Sequence, residues 1–430
     1  MSFVAASVRC QTDENLFGDD TRVNKLWRAM KHNHPLILSL NGGSSSIRFA
    51  LYILETTLIP QMHGKIDRIG LDKPVFSFVD VKGVRLELPC DSVTNFSTAI
   101  AALLQWFETQ KFMDSVSGIG HRLVHGMRHN EPEIVTPELI SILRALATVD
   151  PDHLPLAIEL IETIAMRFPN IAQVVCFDTT FHRDMPRVAK LLPIPKRYET
   201  LGIQRYGFHG LSYAFLMEEL ATRASNTQAQ GRVVLAHLGS GASMAAVHGG
   251  QSIDTSMGFT PASGFAMGTR SGDLDPGLAL YLKISEQMTT EQFDRMVNHE
   301  SGLLGLSGTS PHMLDLLAVE ATDPHAADAV TLFCYQAKKC IGAYAAALGG
   351  LDSLVFSGGI GENCAAVRTR ICEGLGFLGI KLDEARNTVH AELISSDTSQ
   401  VAVHIIRTDE EVMIARSVSS VLGYSRASSK

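Results

Sequence analysis

The chain has no run of five or more Lys or Arg, and its formal net charge is -8. An acidic chain without a basic patch is a poor binder of nucleic acid or of an anionic membrane. No window holds 18 consecutive apolar residues, so no membrane-spanning helix is expected. The opening MSFVAASVRCQTDENLFGDD turns acidic early and has no long apolar core, so it does not read as a secretory signal. The seven cysteines, at 10, 90, 176, 334, 340, 364 and 372, include no Cys-x-x-Cys pair and no zinc spacing. Reduced, mostly buried thiols in a cytoplasmic protein are expected, not a disulfide-stapled module. The phosphate-loop pattern G-x-x-x-x-G-K-[ST] is also missing. A literal G-x-G-x-x-G runs from Gly374 to Gly379, but it follows a helical stretch and reads as a helix end.

What is there fits a large soluble globular chain. Its 430 residues are two to three domain lengths, and 45% hydrophobic with 19% charged residues suits a sizeable core. Residues 1–34 read as an extension without assigned chemistry, partly helical from Val23 to Met30. Strand signals begin at Leu36-Ile37-Leu38 and then alternate with helical periodicity. Ile100, Leu103, Leu104 and Phe107 recur at helical spacing after Asn95 and Ser97. Asp323-Pro324 opens a long helix that Gly349-Gly350 stops, and Leu354-Val355-Phe356 comes next as a strand. The class is therefore mixed α/β. LSLNGGSSSIRFAL from Leu38 is echoed by LAHLGSGASMAAVH from Leu235, with Gly42 meeting Gly239 and Ser46 meeting Ser243. Two such strand-turn-strand units half a chain apart suggest a duplicated domain.

Small-residue turns expose backbone N–H groups and hydroxyls that can cradle phosphate. There are three: Asn41 to Ser46, Gly239 to Ser243, and Gly358-Gly359-Ile360-Gly361-Glu362-Asn363. The third is expected as a loop before a helix starting near Ala365. Two arginines sit between glycines, Arg122 in Gly120-His121-Arg122-Leu123-Val124-His125-Gly126 and Arg270 in Gly268-Thr269-Arg270-Ser271-Gly272-Asp273. Glycine lets a ligand approach a guanidinium, which grips carboxylate or phosphate with two hydrogen bonds. Asp273 or Asp275 could instead neutralise Arg270. His209, in Tyr206-Gly207-Phe208-His209-Gly210, is a candidate donor to a migrating phosphoryl group. Asp178 ends a buried strand, where α/β folds carry ligands. Asp409, Glu410 and Glu411 begin a helix, either as dipole-favoured charge or as Mg²⁺ ligands.

These segments together resemble the acetate/propionate kinase family of acyl-phosphate-forming kinases. The matching pieces run in order: LSLNGGSSSIRF, GHRLVHG, VCFDTTFH, QRYGFHGLS, AHLGSGAS, MGFTPASG, GTRSGDLDP, FSGGIGEN and RTDEEVMIA. The resemblance implies two duplicated actin/Hsp70-like (ribonuclease H-like) ATPase domains around a central cleft. It implies a first domain over 35–179 plus 412–430, a second over 180–411, and a homodimer. It also implies reversible Mg²⁺-dependent transfer from ATP to acetate, giving acetyl phosphate and ADP, with Mn²⁺ as a second candidate ion. By that resemblance Asn41 and Glu410 hold the metal, and Arg48 lies near the nucleotide phosphates. Arg122 and Arg270 bind carboxylate and phosphoryl group, Asp178 is the essential acid in a positioning role, and His209 donates to the phosphoryl oxygens. His237, Leu238, Gly239, Ser240 and Gly241 cradle the nucleotide phosphates, and Gly358 to Asn363 line the nucleoside pocket. Val124, Phe208 and Pro261 form the acyl pocket, with His153 on the substrate side.

The sequence departs from the family's pattern. Ser240 replaces an Asn in the phosphate loop, and Gly42 replaces a Cys. Ser310-Pro311-His312-Met313-Leu314-Asp315 replaces S-S-D-F-R-D, leaving His312, Met313 and Leu314 at the nucleotide. Asp152 of Asp152-His153-Leu154-Pro155 replaces a Leu that packs on the acyl methyl group, so either the alignment slips there or the pocket is more polar. Three readings are open: acetate kinase with ATP; a propionate-type kinase or a relative using another donor such as pyrophosphate; and a non-catalytic nucleotide clamp. Retention of Arg122, Asp178, His209, Arg270 and Glu410 opposes the last.

Overall fold

The computed structural model describes residues 34–424 apart from 44, 111 and 225. The expected extension lies outside the described residues but for His34, as does the chain from 425 onward. Strands β1 (Leu36–Gly42), β2 (Ser46–Leu54), β3 (Leu58–Asp67), β4 (Val75–Val79), β5 (Arg85–Leu88), β6 (Val116–Leu123), β7 (Glu133–Ile134) and β8 (Ala172–Phe177) make one sheet, ordered β5-β4-β3-β2-β1-β6-β8-β7. Strands β9 (Arg232–Leu238), β10 (Ala242–His248), β11 (Gln251–Thr255), β12 (Ser353–Ser357) and β13 (Ala402–Ile405) make a second, ordered β11-β10-β9-β12-β13. In the first sheet β1, β2 and β3 are antiparallel neighbours, and β1, β6 and β8 are parallel. In the second, β9, β10 and β11 are antiparallel, and β9, β12 and β13 are parallel. The order β3-β2-β1-β6-β8 is thus repeated as β11-β10-β9-β12-β13. The echo seen in the sequence is the β1-β2 hairpin repeated as β9-β10, in two ribonuclease H-like sheets of the actin/Hsp70 type.

Each sheet is covered on both faces, which is why its central strands are apolar throughout. Successive β9 residues show the alternation. Val234 and Ala236 pack with helix Pro324–Leu348, and Val233 and Leu235 pack with helix Gly210–Arg223. On the first sheet, helices Phe96–Gln110 and Leu154–Arg167 cover one face. Helix Glu410–Val421 covers the other, setting Ile414, Ala415 and Val418 against Ile37, Ala50, Val174 and Cys176. The expected helix ends hold. Asp323 accepts from His325 and Ala326 N–H groups, and Gly349 stops the long helix at φ 71°. The expected loop from Gly358 to Asn363 is instead a short helix of its own, succeeded by Ala365–Cys372. The Glu362 carboxylate reaches back to the Gly358 N–H at 3.0 Å, which closes the turn.

The C-terminal helix is seated on two glycines of β6. A Cβ on Gly120 would stand 2.3 Å from Ile414 and 2.6 Å from Val418, and one on Gly118 would stand 2.6 Å from Leu422. Gly120→Ala should therefore cost about 1–3 kcal/mol through overpacking and lower the urea midpoint. An unchanged midpoint would mean that the helix does not rest on β6.

Candidate active site

Three adjacent parallel strands deliver their last residues to one place. Asn41 comes from β1, Arg122 from β6, and Asp178 directly succeeds β8. The Arg122 guanidinium donates from Nε to Asp178 Oδ1 at 2.8 Å, and from Nη2 to Asp178 Oδ2. Its Nη1 donates to Asn41 Oδ1 at 3.1 Å. The Asn41 amide in turn donates to Glu410 at 3.0 Å and to Glu411 at 3.3 Å, at the start of helix Glu410–Val421. Asp409 caps that helix by accepting from Val412 N–H, so of the three expected acids one serves the helix end. Arg48 pairs across the β1-β2 hairpin with Asn41, and its charge acts on Glu410, Glu411 and His237.

Burial raises the Asp178 carboxyl, and Arg122 pulls against it. Burial also opposes charge on Arg122, but Asp178 and then Glu410 hold its proton firmly. For Glu410, burial is outweighed by Arg122, the Asn41 amide and Arg48, which hold it below its ordinary value. Glu411 is pushed up by burial and by Glu410. Two neighbouring carboxylates are thus driven apart, and Glu410 is the better ionised ligand. Among the described residues no three His, Cys, Asp or Glu cluster as a metal cage. Mg²⁺ favours oxygen donors completed by phosphate and water, which ionised Glu410 offers; the Asn41 carbonyl is turned to Arg122, and its amide would have to turn over to join Glu410.

The second sheet supplies the facing wall. His209 precedes helix Gly210–Arg223 with φ 58°, a left-handed conformation uncommon outside glycine. Its Nδ1 lies 2.8 Å from Ser243 Oγ, which also bonds the Tyr213 hydroxyl. Its ring stacks on His237 at 4.3 Å, and His237 Nδ1 lies 2.8 Å from Ser212 Oγ, which Thr408 also meets. Burial lowers both histidines, and Arg122 adds to it, so both are neutral near pH 7. A Cβ on Gly241 would lie 3.4 Å from both His209 Nε2 and Arg270 Nη2. These two side chains therefore converge over the turn between β9 and β10. Arg270 is held by one bond from Nη1 to Pro261 O at 2.8 Å. Asp273 and Asp275 do not neutralise it, because they accept from the backbone of Gly264 and Gly277.

Several expectations need correction. The glycines beside Arg122 and Arg270 do not clear space for a ligand. Cβ atoms on Gly120, Gly126 and Gly272 would strike Ile414, Phe177 and Gly264 O, so these glycines let chain segments meet. Asp152, where the family has a Leu, turns outward instead of making the pocket more polar: it is 41% exposed and bonds His299 at 3.1 Å. Met313 is buried in the second core, whereas His312 and Leu314 are exposed. Leu238 is likewise a core side chain, so only its backbone can meet a phosphate. Val124 and Phe208 do pack in one cluster, and His125 lies edge-on to Phe208 at 5.4 Å. His153 bonds Asp150 at 2.8 Å. In the turns, Gly239 N–H donates to Gly241 O, and Ser240 O accepts from Gly268. Gly358, at φ 77°, lies so close to Leu238 that a Cβ would be 2.6 Å from its carbonyl. Ile360 packs on the core, and Asn363 bonds back to Gly359 O. Sequence reasoning missed Glu411 as an Asn41 partner, missed Ser212 and Thr408 inside quoted motifs, and took Ser243 as part of a phosphate turn when it supports His209. It also missed fully buried Arg368, which braces the Gly358–Asn363 turn by donating to Gly361 O and Glu362 O. A cavity of about 790 Å³ lies elsewhere, between Leu54–Leu58 and Val412, Arg416 and Ser419.

Two ribonuclease H-like sheets presenting their strand ends to one buried charged cluster define an actin/Hsp70-type protein. A family model described as the Acetokinase family matches residues 36–416, and the chain belongs to that family. An acetate kinase of Rhodopseudomonas palustris (strain TIE-1) is 44% identical over 390 residues, covering 89% of this chain and 97% of its own. Among solved structures, acetate kinase from Porphyromonas gingivalis aligns with a TM-score of 0.79 at 32% identity, covering 90% of this chain and 100% of its own. A propionate kinase from Francisella tularensis subsp. tularensis SCHU S4 aligns at 0.83 with 33% identity, again covering 90% and 100%.

Two buried histidines beneath the site set a pH limit. His121 precedes Arg122 and bonds Gln173 at 2.6 Å, and His182 donates from Nε2 to Phe208 O at 3.1 Å. Burial lowers each to about 4. Unfolding returns them to about 6.5, so between these values the unfolded chain binds the extra protons. Stability should therefore fall as pH drops from about 6.5 to about 4. Urea midpoints across that range should fall more shallowly for His182→Gln, and an identical slope would refute the assignment.

Proposed function

We propose that the protein is an acetate kinase, transferring the γ-phosphoryl group of ATP to acetate and back. The observation that carries this is the convergence of two guanidinium groups and one neutral imidazole, from Arg122, Arg270 and His209, on a buried site where Glu410 stays ionised. An acetate carboxylate is already ionised near pH 7 and needs no general base. Its oxygen forms the new bond to phosphorus, the bond from phosphorus to the bridging oxygen breaks, and ADP leaves with the electron pair. No proton has to move, so catalysis is alignment and charge neutralisation. Arg270 and His209 Nε2 are placed for the equatorial phosphoryl oxygens, and Arg122 keeps two N–H groups beyond those spent on Asp178 and Asn41. Asp178, with both oxygens on Arg122, orients that guanidinium. Val124, Phe208 and Pro261 wall the acyl methyl group. Glu410 and Asn41 would hold Mg²⁺ (or Mn²⁺), which when bound supplies positive charge to the nucleotide phosphates. The backbone from His237 to Gly241, with Arg48, faces those phosphates, and Gly358 to Asn363 faces the nucleoside.

A second donor is favoured by one observation. The segment that would hold adenine and ribose presents exposed His312 and Leu314 without an acid or arginine at those positions. A longer acyl acceptor such as propionate also stays within the proposal, given the likeness to a propionate kinase. We further propose the division into 35–179 plus 412–430 and 180–411, supported by helix Glu410–Val421 lying on the first sheet. Helix Gly277–Ser285 buries none of its side chains and leaves Leu280, Tyr281 and Ile284 each more than 60% exposed. That unpartnered apolar face supports a homodimer. The six cysteines among the described residues are free thiols, which supports a reducing cytoplasm.

Hydroxamate trapping with ATP, GTP and pyrophosphate, each against acetate and propionate, tests the reading. Acyl phosphate should appear with ATP and acetate, and no product with any pair would refute an enzyme. Arg270→Ala should lower kcat by roughly two orders of magnitude or more with the fold intact, as loss of a transition-state donor does. A change below about threefold would remove Arg270 from the chemistry.

A further inference from the structure

Asp150 is a buried carboxylate to which no role has been given. Its side chain is 4% exposed, and Oδ1 lies 2.8 Å from His153 Nδ1. Oδ2 is sealed from solvent and has no hydrogen-bond partner among the described residues. Burying a carboxylate on a single hydrogen bond is costly, so the fold alone does not account for it. The backbone is fixed as well. Leu154 N–H donates to Asp150 O at 3.1 Å as helix Leu154–Arg167 begins, and the His153 side chain makes no capping bond there.

We propose that Asp150 is a positioning residue of the acyl site, holding the hydrogen of His153 on Nδ1 and so presenting Nε2 to the substrate. An ionised carboxylate can only accept, so this contact keeps Nδ1 protonated whether His153 is neutral or charged. His153 Nε2 has no hydrogen-bond partner among the described residues, and the side chain is 22% exposed. The pair lies within the field of the site. A protonated His153 would act on Asp178, and the charge of Asp150 acts on Arg270 and His125. Arg270, with no ion pair within 4.0 Å among the described residues, has Asp150 as its strongest compensating charge. The neighbouring carboxylate Asp152 turns outward to His299 and leaves His153 to Asp150. The proposal deepens the acetate kinase reading and rests on it for the identity of the substrate.

The test is a double-mutant cycle on Asp150→Ala and His153→Ala, read as kcat/KM for acetate, KM for the nucleotide, and Tm. Asp150→Ala should lose roughly tenfold or more in kcat/KM for acetate, as loss of a histidine's orienting partner does. Nucleotide KM should stay within about twofold, and Tm should hold or rise because a poorly satisfied buried charge is gone. The double variant should lose no more than His153→Ala alone. Wild-type kcat/KM in Asp150→Ala, additive losses in the double variant, or a lowered Tm with activity intact would each overturn the proposal. Asp150→Leu, of similar shape and without an acceptor, provides the same comparison where Asp150→Ala fails to fold. Should the wild type make no acyl phosphate, the functional reading fails instead. Long-range ¹H–¹⁵N spectra of His153 then decide separately: hydrogen on Nδ1 supports the proposal, and a neutral ring protonated on Nε2 overturns it.

Discussion

The Arg122–Asp178 pair is the constraint on which the site depends. A guanidinium this deep in a protein carries a desolvation penalty that only a well-matched carboxylate offsets. Here the fork geometry is met by both Asp178 oxygens, and the remaining arm reaches Asn41. Through Asn41 the same chain continues to Glu410 and Glu411 on the C-terminal helix. One network therefore ties β1, β6, β8 and helix Glu410–Val421 into fixed relative positions. Removing Asp178 would leave Arg122 with only Glu410, 3.8 Å away, as its ion partner, a loss of up to about 3–5 kcal/mol, and would free the guanidinium to rotate. Stability and preorganisation rest on the same bonds, so a variant at Asp178 cannot by itself separate structure from catalysis.

The duplication explains why the site is asymmetric despite two similar sheets. Each copy ends β1 or β9 in a small-residue turn, and the copies have diverged in the side chains around that turn. In the first, Asn41 sits among charged groups, and Ser46 accepts from the Gly43 N–H through its backbone carbonyl. In the second, the matching Ser243 supports His209 and Tyr213 with its hydroxyl. One copy thus gathers paired formal charge, and the other gathers neutral imidazoles beside the single cation Arg270. Burial and nearby cations keep His209 and His237 neutral, so these two rings add no positive charge to that of Arg270 on the same wall.

The sheets and the long helices were legible in the sequence because local chemistry decides them. Asp323-Pro324 and Gly349 mark a helix whatever surrounds it, and the Leu38 and Leu235 echo marks a repeated hairpin. What was not legible depended on contacts far along the chain. Gly120 and Gly272 look like glycines that admit a ligand, yet each is small because a distant segment crosses it. The turn from Gly358 to Asn363 reads as an open loop, but Glu362 and the distant Arg368 close it into a helix. Asp152 could be flagged as unlike a leucine, but its actual partner His299 lies nearly 150 residues away and leaves no local mark. Met313 and Leu314 are adjacent apolar residues in the sequence, and only the packing of helix Pro324–Leu348 decides that the first is core and the second is not.

The bulk charge of -8 and an anion-binding site are compatible because the site is electrically local. Surface carboxylates are screened within about 10 Å by ordinary salt, whereas buried groups act at lower dielectric. Within the cleft Arg122 is balanced by Asp178, and Glu410 is the carboxylate kept ionised beside the upshifted Glu411. Arg270 has no such contact partner, so it is the cation with charge left over for a ligand. Asp150 tempers it from a distance without occupying its donors. In the transfer proposed above, a site built this way would attract an anion, and the unshared guanidinium hydrogens would meet oxygens whose charge grows during the reaction.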